Sequence, residues 1–450
     1  MDIRVGDIFE GEIIDFTHDG NGVLKINNYT VFVNEALIGD IVKVRIRKAK
    51  KSFSEAEIIE ILKPSKDRVQ IDFEIEEPLG SIPLIYYDYK KQLQWKKEKV
   101  RSDLLKIGGL RDIDIGETIG MEKPFAYRNH IQLAVGEDEG RPLIGFYEAK
   151  SNKIFDMKKS ILQPEIGNRI STIIRLWMEK HNIRAYDKKT RKGVLRYIGI
   201  RINKDKQAMI ILVTGNQQLQ NKEDLIKELK RENVVSIYQN INNSNTSVTY
   251  GRDYKKLYGE DKLLDYIGEY KFYLSPNSFI QVNRTQAERL YGKVEEFLDP
   301  EKDDIVYDLY SGIGTISLYI ANKVKKVYGI EIVKEATEDA KENAKLNNIK
   351  NVEFIEGKAE EVFPAFLEKG IKGNKLIIDP PRKGCDEKVL ESIAKLSPEK
   401  VVYVSCNPST MARDVKYLVE KGYRVVEVQP MDMFPHTPHV ESIILLQKKK

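Results

Sequence analysis

Cysteine is scarce in this sequence, and long apolar runs are missing from it. The 450 residues include two cysteines, Cys385 and Cys406. Two thiols are too few for a disulfide framework, a four-cysteine zinc site or a four-cysteine iron–sulfur cluster. No apolar stretch approaches the ~20 residues that a membrane-spanning helix needs, and the N-terminal residues lack the basic start and apolar run of a signal peptide. We therefore expect a cytoplasmic protein with free thiols and no membrane partner.

A large excess of one charge is also lacking. The formal net charge is +5, from 74 Lys and Arg against 69 Asp and Glu, which permits nucleic-acid binding but does not require it. The basic residues are clustered, since residues 184–206 hold nine Lys and Arg against two Asp, and residues 43–51 hold six. Such runs are either solvated surface strands or phosphate contacts, because cations release the counterions condensed on a nucleic acid. Charge alone leaves both interpretations open.

Three regions with different patterns divide the chain. Residues 1–62 contain short strands separated by turn residues, the pattern of a small β-barrel. Residues 63–275 mix strand and helix patterns, and the helical stretch near residues 89–106 is a candidate for packing with the neighbouring domain. Residues 276–450 alternate strands and helices, which predicts a Rossmann-like α/β domain with a parallel sheet and helices on both faces.

A glycine-rich turn follows the first strand of the third region. In the sequence DIVYDLYSGIGT, Gly312 and Gly314 let the backbone approach a ligand closely. Glu331 ends the next strand, where a carboxylate can accept hydrogen bonds from ribose hydroxyls. A dinucleotide site would have a third glycine near position 317, where Ser317 stands, so the motif favours S-adenosylmethionine (SAM) over NAD. A plain strand–helix turn without a cofactor is the remaining alternative.

Three residues with reactive side chains lie at other strand ends of the same region. Asp379 follows an apolar strand in LIIDPPRKG, Cys406 ends the next strand in VVYVSCNPST, and Glu441 begins the last strand in HTPHVESI. Ligands of doubly wound sheets bind in a crevice at strand ends, so these side chains are candidates for one active site. Each also has a simpler interpretation, as a capped strand end, a buried structural cysteine and an exposed acid.

Two histidines and the second cysteine are weaker candidates. His436 and His439 could form a metal site with Glu441, but their spacing is not that of a helical zinc motif and no third histidine lies nearby. We therefore expect no metal. Cys385, in the sequence PRKGC, is expected to be structural.

A thiolate, a carboxylate and a methyl donor together suit the methylation of uracil at carbon 5. This carbon is too weak a nucleophile to take a methyl group from SAM unaided. Addition of a thiolate to C6 makes C5 enolate-like, and a general base must then remove the C5 proton before the thiol is eliminated. The nucleobase has to leave its stack to reach both groups, so a flippable uridine in RNA is the natural substrate. On this hypothesis Cys406 is the nucleophile and Glu441 is the general base.

These motifs resemble those of the RNA uracil-C5 (5-methyluridine) methyltransferase family over nearly the whole chain. The first 62 residues are similar to the family's TRAM barrel, and YRNHIQLAV and GVLRYIGIR are similar to its central-domain motifs that face RNA. In the catalytic domain the similar motifs are SPNSFIQVN, DLYSGIGT, GIE, DPPRKG, SCNP and HVES. The resemblance is strongest to the 23S ribosomal RNA enzymes that lack an iron–sulfur cluster.

The resemblance implies roles for nine residues. Cys406 matches the nucleophile and Glu441 matches the base. The positions that match SAM contacts are Gln281, Tyr310, Glu331 and Asp379. The positions implied to contact RNA are Arg128, Arg196 and Arg201.

One departure from the family pattern concerns an iron–sulfur cluster. Many members carry a C-G-G-C motif shortly before the helix that begins here near Tyr89. This chain has LGSIP in that place, with Leu79 and Ile82 where the thiols would stand. We therefore expect SAM as the cofactor and no iron–sulfur cluster.

The substrate that the resemblance favours is 23S ribosomal RNA, because relatives devoted to tRNA often lack the TRAM barrel. A tRNA uridine-5 methyltransferase is the first alternative. An RNA cytosine-5 methyltransferase is the second, and the DPPR turn, which has no proline–cysteine pair, argues against it. A non-catalytic RNA-binding protein of ribosome assembly is the third, and the intact motifs argue against it. DNA is not an expected partner.

Overall fold

The computed structural model describes residues 3–148, 151–215, 218–246 and 248–449. Positions 1 and 2 of the first predicted region and position 450 of the third lie outside the described residues. No helix in the described part of the chain is long and apolar enough to cross a membrane. Its α-helices are α1 (Tyr89–Lys106), α2 (Glu165–Lys180), α3 (Lys222–Lys230), α4 (Arg284–Leu298), α5 (Thr315–Ala321), α6 (Lys334–Leu346), α7 (Ala359–Glu368), α8 (Glu387–Leu396) and α9 (Pro408–Glu420).

The N-terminal region is a closed five-stranded barrel. Its strands are β1 (Ile8–Phe16), β2 (Gly22–Ile26), β3 (Tyr29–Val33), β4 (Ile41–Ala49) and β5 (Phe53–Lys63). They close in the order β1-β2-β3-β5-β4, and alternate side chains such as Ile13, Val31 and Val44 fill the interior. The β1–β2 turn lies against the rest of the molecule, since a Cβ built on Gly20 would stand 2.6 Å from Pro83 Cγ and 3.6 Å from Pro438 Cδ.

The central region contains a seven-stranded sheet. Its strands are β6 (His130–Asp138), β7 (Arg141–Tyr147), β8 (Ile154–Asp156), β9 (Leu195–Ile202), β10 (Ala208–Thr214), β11 (Val234–Ile241) and β12 (Asp253–Gly259). They lie in the order β12-β11-β10-β9-β6-β7-β8. Side chains of α2 and α3 cover one face of this sheet, and the third region packs on the other. Every residue of β9 and β10 is therefore buried.

A hairpin separates the central sheet from the catalytic sheet. Its strands, β13 (Leu263–Ile267) and β14 (Tyr270–Leu274), contact α4, α5 and α6, and Phe272 is fully buried among them. The hairpin precedes residue 276 and was expected to belong to the central region, yet it packs with the third. A strand pattern shows that a hairpin forms but not which neighbour covers it.

The third region forms the sheet that carries the strand-end motifs. Its strands are β15 (Ile305–Leu309), β16 (Lys326–Glu331), β17 (Val352–Glu356), β18 (Lys375–Ile378), β19 (Lys400–Ser405), β20 (Tyr423–Met431) and β21 (Glu441–Lys448). Their order is β17-β16-β15-β18-β19-β21-β20. The first five are parallel, as expected, but β21 runs antiparallel to both neighbours. A loop of residues 432–440 joins β20 to β21, and antiparallel neighbours need no crossover helix.

Helix α1 connects the barrel side of the molecule to the catalytic sheet. Asp88 caps its first turn by accepting a hydrogen bond from Lys91 N, and the helix lies against α9 and β20. Lys96 Nζ lies 2.5 Å from Asp432 Oδ1, with both side chains fully buried. Tyr89 donates its hydroxyl to the other oxygen of Asp432 at 2.7 Å. These bonds attach α1 to the loop that leads into β21.

Candidate active site

A cavity of about 640 Å³ opens where the parallel strands of the catalytic sheet end. The strand order turns back at β15, which lies between β16 and β18, and doubly wound sheets bind ligands at such switch points. The structure brings six of the predicted residues from six separate stretches of sequence to this cavity, and their individual roles stay predictions. These lining residues are Gln281, Tyr310, Glu331, Asp379, Cys406 and Glu441.

The turn after β15 has a backbone conformation that few residues adopt. Tyr310, Gly312 and Gly314 have positive φ angles of 67°, 54° and 83°. A Cβ on Gly314 would lie 2.6 Å from the Phe354 ring, whereas one on Gly312 would meet nothing within 4 Å. A non-glycine residue in this region costs about 1–3 kcal/mol, and such strain is concentrated at functional sites. The strained Tyr310 is consistent with a binding turn.

Glu331, at the end of β16, is attached to the same turn. Its Oε2 accepts a hydrogen bond from Gly312 N at 3.0 Å, and its Oε1 accepts one from Val333 N at 2.8 Å. These bonds fix the orientation of the carboxylate, and each oxygen keeps a lone pair for a further donor. A carboxylate held in this way can accept hydrogen bonds from the hydroxyls of a ribose.

Two carboxyl groups line the cavity beside this turn, that of Asp308, which is buried, and that of Asp379, which is half-buried. Burial raises the pKa of Asp308 to about 7, and burial together with the charge of Asp308 raises the pKa of Asp379 to about 7. Asp308 Oδ2 accepts a hydrogen bond from Ser317 Oγ at 2.5 Å. Among the described residues, Asp308 Oδ1 and Ser311 Oγ have no partner. Buried polar atoms are normally paired, so these two point to a polar ligand.

The residues around this turn fit SAM, the cofactor that the fold family implies. Glu331, Gln281 and Tyr310 would hold it, and the two unpaired oxygens offer further polar contacts. The positive charge of its sulfur would favour the ionised form of a nearby carboxyl such as Asp379.

Cys406 and Glu441 lie side by side at the ends of neighbouring strands, Cys406 directly after β19 and Glu441 at the start of β21. β19 pairs with β21 so that Ser405 faces Ser442, and the antiparallel register puts the next residues, Cys406 and Glu441, opposite each other. Asn407 caps α9 and so ends β19 at this point. The Cys406 side chain is half-buried, and Glu441 is 3% exposed. A thiol and a carboxyl group can therefore act on adjacent atoms of one substrate.

The surroundings favour the protonated forms of both groups. Burial raises the pKa of Glu441 to about 8, with a smaller contribution from Asp379. Burial and the charge of Glu441 raise the pKa of Cys406 to about 11, whereas the guanidinium of Arg382 lowers it. Arg382 is thus the cation next to Cys406 that favours the thiolate.

Arg382 and Phe279 are among the lining residues of the cavity that were not singled out from the sequence. The carbonyl of Arg382 accepts hydrogen bonds from Asn407 Nδ2 at 3.0 Å and Thr410 Oγ1 at 3.1 Å, which holds the DPPR turn against α9. Phe279 is 71% exposed on the cavity wall. Both lie in distinctive motifs, DPPRKG and SPNSFIQVN. These motifs are the sequence signal by which the two residues could have been found.

The structure does not agree with RNA contacts at Arg196 and Arg201. Their side chains are 2% and 3% exposed, and their guanidinium groups donate to backbone carbonyls. Because both faces of β9 are covered, neither group is available to a phosphate. The accepting carbonyls belong to Asn242, Ser244 and Thr246 for Arg196, and to Pro276 and Ser278 for Arg201. Arg128 is half-buried, and its contact with RNA stays a prediction.

The two histidines and Cys385 have separate surroundings. Burial lowers the pKa of His436 to about 3 and that of His439 to about 4, so both are neutral. His439 lines the cavity, whereas the His436 ring stacks on Phe125 at 4.8 Å. Across the described ranges, no group of three or more His, Cys, Asp or Glu could hold a metal ion. Cys385 is buried with its Sγ 3.7 Å from Tyr403 Oη, and burial raises its pKa to about 12.

The segment before α1 does not fit an iron–sulfur cluster. Ile82 is fully buried in an apolar cluster with Ile85, Tyr127 and Leu162, and Leu79 packs against the same cluster. Aliphatic side chains supply no ligand to iron, which thiolates hold in such clusters.

Comparisons with known proteins identify relatives over nearly the whole chain. The family model described as tRNA (Uracil-5-)-methyltransferase matches residues 206–449, and the TRAM domain model matches residues 4–59. A Clostridium tetani protein named "Uncharacterized RNA methyltransferase" is 46% identical over 430 residues, which cover 95% of this chain and 93% of that protein. A Clostridium acetobutylicum protein, also named as an RNA methyltransferase, is 44% identical over 99% of this chain and 98% of its own length.

A solved structure extends the comparison to the fold. The crystal structure of Pyrococcus abyssi tRNA (uracil-54, C5)-methyltransferase in complex with S-adenosyl-L-homocysteine matches with a TM-score of 0.79 and 31% identity. The match covers 97% of this chain and 100% of that one. The family and fold class predicted from the sequence are thereby confirmed. The chain is a SAM-dependent RNA methyltransferase that belongs to the tRNA (uracil-5-)-methyltransferase family and carries an N-terminal TRAM domain.

Proposed function

We propose that this enzyme methylates carbon 5 of a uridine in 23S ribosomal RNA through a covalent bond from Cys406 to C6, with Glu441 as the general base. The observation that carries the proposal is the pairing of a half-buried thiol with a buried carboxyl group on adjacent strands at one cavity. C6 and C5 of a pyrimidine are neighbours, so two side chains placed in this way can act on them in turn.

The reaction divides into an addition and an elimination. Cys406 Sγ forms a bond to C6, and the electron pair of the C5–C6 double bond is released towards C5, which becomes nucleophilic. Bound SAM would supply an electrophilic methyl carbon, to which C5 forms its new bond while the bond from that carbon to the sulfonium sulfur breaks and its electron pair stays on the sulfur. Glu441 then removes the C5 proton, the double bond re-forms, and the C6–S bond breaks with its electron pair returning to Sγ.

The surroundings of Cys406 and Glu441 support their roles as nucleophile and general base. A general base is effective when its pKa lies near the operating pH, and burial brings the pKa of Glu441 to about 8. The thiolate of Cys406 is disfavoured by burial and favoured by Arg382, which makes Arg382 a candidate for activating the nucleophile. The target uridine must leave its stack to enter the cavity.

The choice between 23S ribosomal RNA and tRNA rests on the barrel and on one solved relative. The barrel supports ribosomal RNA by resemblance, because tRNA enzymes of the family often lack it. The Pyrococcus abyssi protein, a tRNA (uracil-54, C5)-methyltransferase, favours tRNA as the second candidate, since its match covers 97% of this chain. We place the activity in the cytoplasm, where two free thiols such as Cys385 and Cys406 are stable.

RNA carrying 5-fluorouridine tests the mechanism and the substrate together. The protein is incubated with SAM and transcripts of 23S ribosomal RNA domains or of tRNAs in which 5-fluorouridine replaces uridine. Fluorine cannot leave as a proton does, so the covalent complex should accumulate and run as a slower band on a denaturing gel. We expect this band with 23S transcripts. A band with tRNA transcripts alone would select the second candidate.

The second cysteine provides the control. Cys385→Ala should form the same band, because Cys385 does not line the cavity, whereas Cys406→Ala should not. A band that persists in Cys406→Ala would contradict the assignment of the nucleophile.

A further inference from the structure

Part of the cavity wall is formed by the segment of residues 275–282. This segment presents Phe279 and Gln281 to the cavity and lies between the central sheet and the catalytic sheet. We propose that Arg201 and Asn129, two buried residues of the central region, are positioning residues that hold this segment in the shape that binds SAM. The inference rests on the proposed assignment of the cavity to the cofactor.

Arg201 holds the first half of the segment. Its Nε donates to the carbonyl of Pro276 at 3.2 Å, and one terminal nitrogen donates to the carbonyl of Ser278 at 2.5 Å. The planar guanidinium is suited to two acceptors at fixed spacing, and a lysine ammonium is not. The two carbonyls flank Asn277 and directly precede Phe279, so Arg201 sets the course of the chain just before the cavity.

Asn129 holds the second half. Its Nδ2 donates to the carbonyl of Gln281 at 3.0 Å, and its backbone N donates to the carbonyl of Val282 at 2.8 Å. Asn129 itself is 6% exposed and immediately precedes β6, the strand that pairs with β9. The side chain of Gln281 is thus presented from a backbone that is fixed on the central sheet.

The opposite side of the segment is attached to the catalytic region. The carboxylate of Asp339, on α6, accepts hydrogen bonds from Ser275 Oγ at 2.8 Å and Ser278 Oγ at 2.5 Å. Lys262 forms an ion pair with the same carboxylate at 2.7 Å. The segment is therefore bound from the central and the catalytic regions at once, and its conformation depends on how the two regions are placed. A shift of about 1 Å in such a wall is enough to weaken binding or catalysis up to ~100-fold.

Arg196 provides a matched comparison on the same strand. It is as deeply buried as Arg201 and also donates to backbone carbonyls. Its acceptors, Asn242, Ser244 and Thr246, do not line the cavity. A purely structural role would make the two arginines equivalent, and a positioning role at the cavity would not.

The test measures the affinity of the full-length protein for S-adenosyl-L-homocysteine by calorimetry, together with the midpoint of urea unfolding. Arg201→Lys should weaken the affinity by about tenfold or more, with a raised KM for SAM. Arg196→Lys should lose similar stability and keep the wild-type affinity. Wild-type affinity in both variants would overturn the proposal. An equal loss of affinity in both variants would also overturn it.

A second pair of variants covers the case in which Arg201→Lys does not fold. Asn129→Ala removes one uncharged donor to Gln281 and should also weaken binding, while Asn240→Ala, a buried amide that donates to Gly251 and Asp253, should not. Unchanged affinity in a folded Asn129→Ala would contradict its role. Wild-type protein that fails to bind S-adenosyl-L-homocysteine would overturn both the cofactor assignment and this inference, whereas wild-type binding with unaffected variants would overturn this inference alone.

Discussion

Glu441 is a carboxyl group with almost no exposure to solvent, next to the thiol that is proposed to bond to RNA. If it removes the C5 proton, Glu441→Gln should stop the reaction after methylation, because a neutral amide cannot accept the proton. The protein–RNA adduct should then accumulate with ordinary uridine RNA and SAM, visible on a denaturing gel, while turnover falls by roughly 10²–10⁴-fold.

A surface glutamate serves as the comparison for this variant. Glu420→Gln changes an exposed residue at the end of α9 and should turn over normally without an adduct. Normal turnover by Glu441→Gln would show that another group removes the proton.

Site residues could be selected from the sequence where they stand out within a motif. They could not be selected where their importance depends on how the chain packs. Cys406 and Glu441 could be selected because each ends or begins a strand within a distinctive motif. Arg382 and Phe279 stand in equally distinctive motifs, but their importance depends on what they face in three dimensions. Arg196 and Arg201 show the opposite error, since the motif resemblance that implied their contact with RNA does not reveal that both faces of their strand are covered.

Helix α1 is an element whose attachment includes one buried ion pair, between Lys96 and Asp432. Lys96→Met would leave the carboxylate of Asp432 buried without its cation, and breaking such a pair from one side costs about 3–5 kcal/mol. We expect a loss of this size in the free energy of unfolding, measured by urea denaturation.

The neighbouring residue on α1 supplies the control. Lys97 pairs with Glu117, whose side chain is 82% exposed, and exposed pairs contribute about 0.2–1 kcal/mol. Equal losses in Lys96→Met and Lys97→Met would contradict the buried pair as the attachment.

Elements of the catalytic region follow closely from its sequence. The strands predicted before the glycine-rich turn, before Asp379 and at Cys406 are present as β15, β18 and β19, because short apolar runs there end abruptly at polar residues. The direction of β21 and the packing of the β13–β14 hairpin did not follow, since a period-two pattern is the same for parallel and antiparallel strands. Both are decided by contacts between distant parts of the chain.

On the scale of the whole molecule, the cavity makes folding stability depend on pH. The pKa values of Asp308 and Asp379 are raised to about 7 and that of Glu441 to about 8. Between the pKa values of the unfolded chain, near 4, and these values, the folded protein binds more protons than the unfolded chain. The stabilisation from these groups is therefore complete at low pH and is lost as the pH rises through about 7 and 8.

Urea unfolding at pH values from 7 to 9 measures this effect. His436 and His439, whose pKa values are lowered, change stability in the opposite direction but only below about pH 6.5, so this window excludes them. We expect the free energy of unfolding of the wild type to fall across the window, and that of Glu441→Gln to fall less. Parallel curves for the two proteins would contradict a raised pKa for Glu441.

Gly20 lies against two proline rings, Pro83 before α1 and Pro438 in the loop before Glu441. Proline rings cannot rotate aside as a lysine or methionine would, and the backbone of Gly20 has a φ of +83° that other residues avoid. Added bulk at this point would therefore have to displace the backbone of the turn, because neither ring can move aside. The absence of a side chain at Gly20 is what allows the N-terminal barrel to lie directly against the loop that carries Pro438 and leads to Glu441.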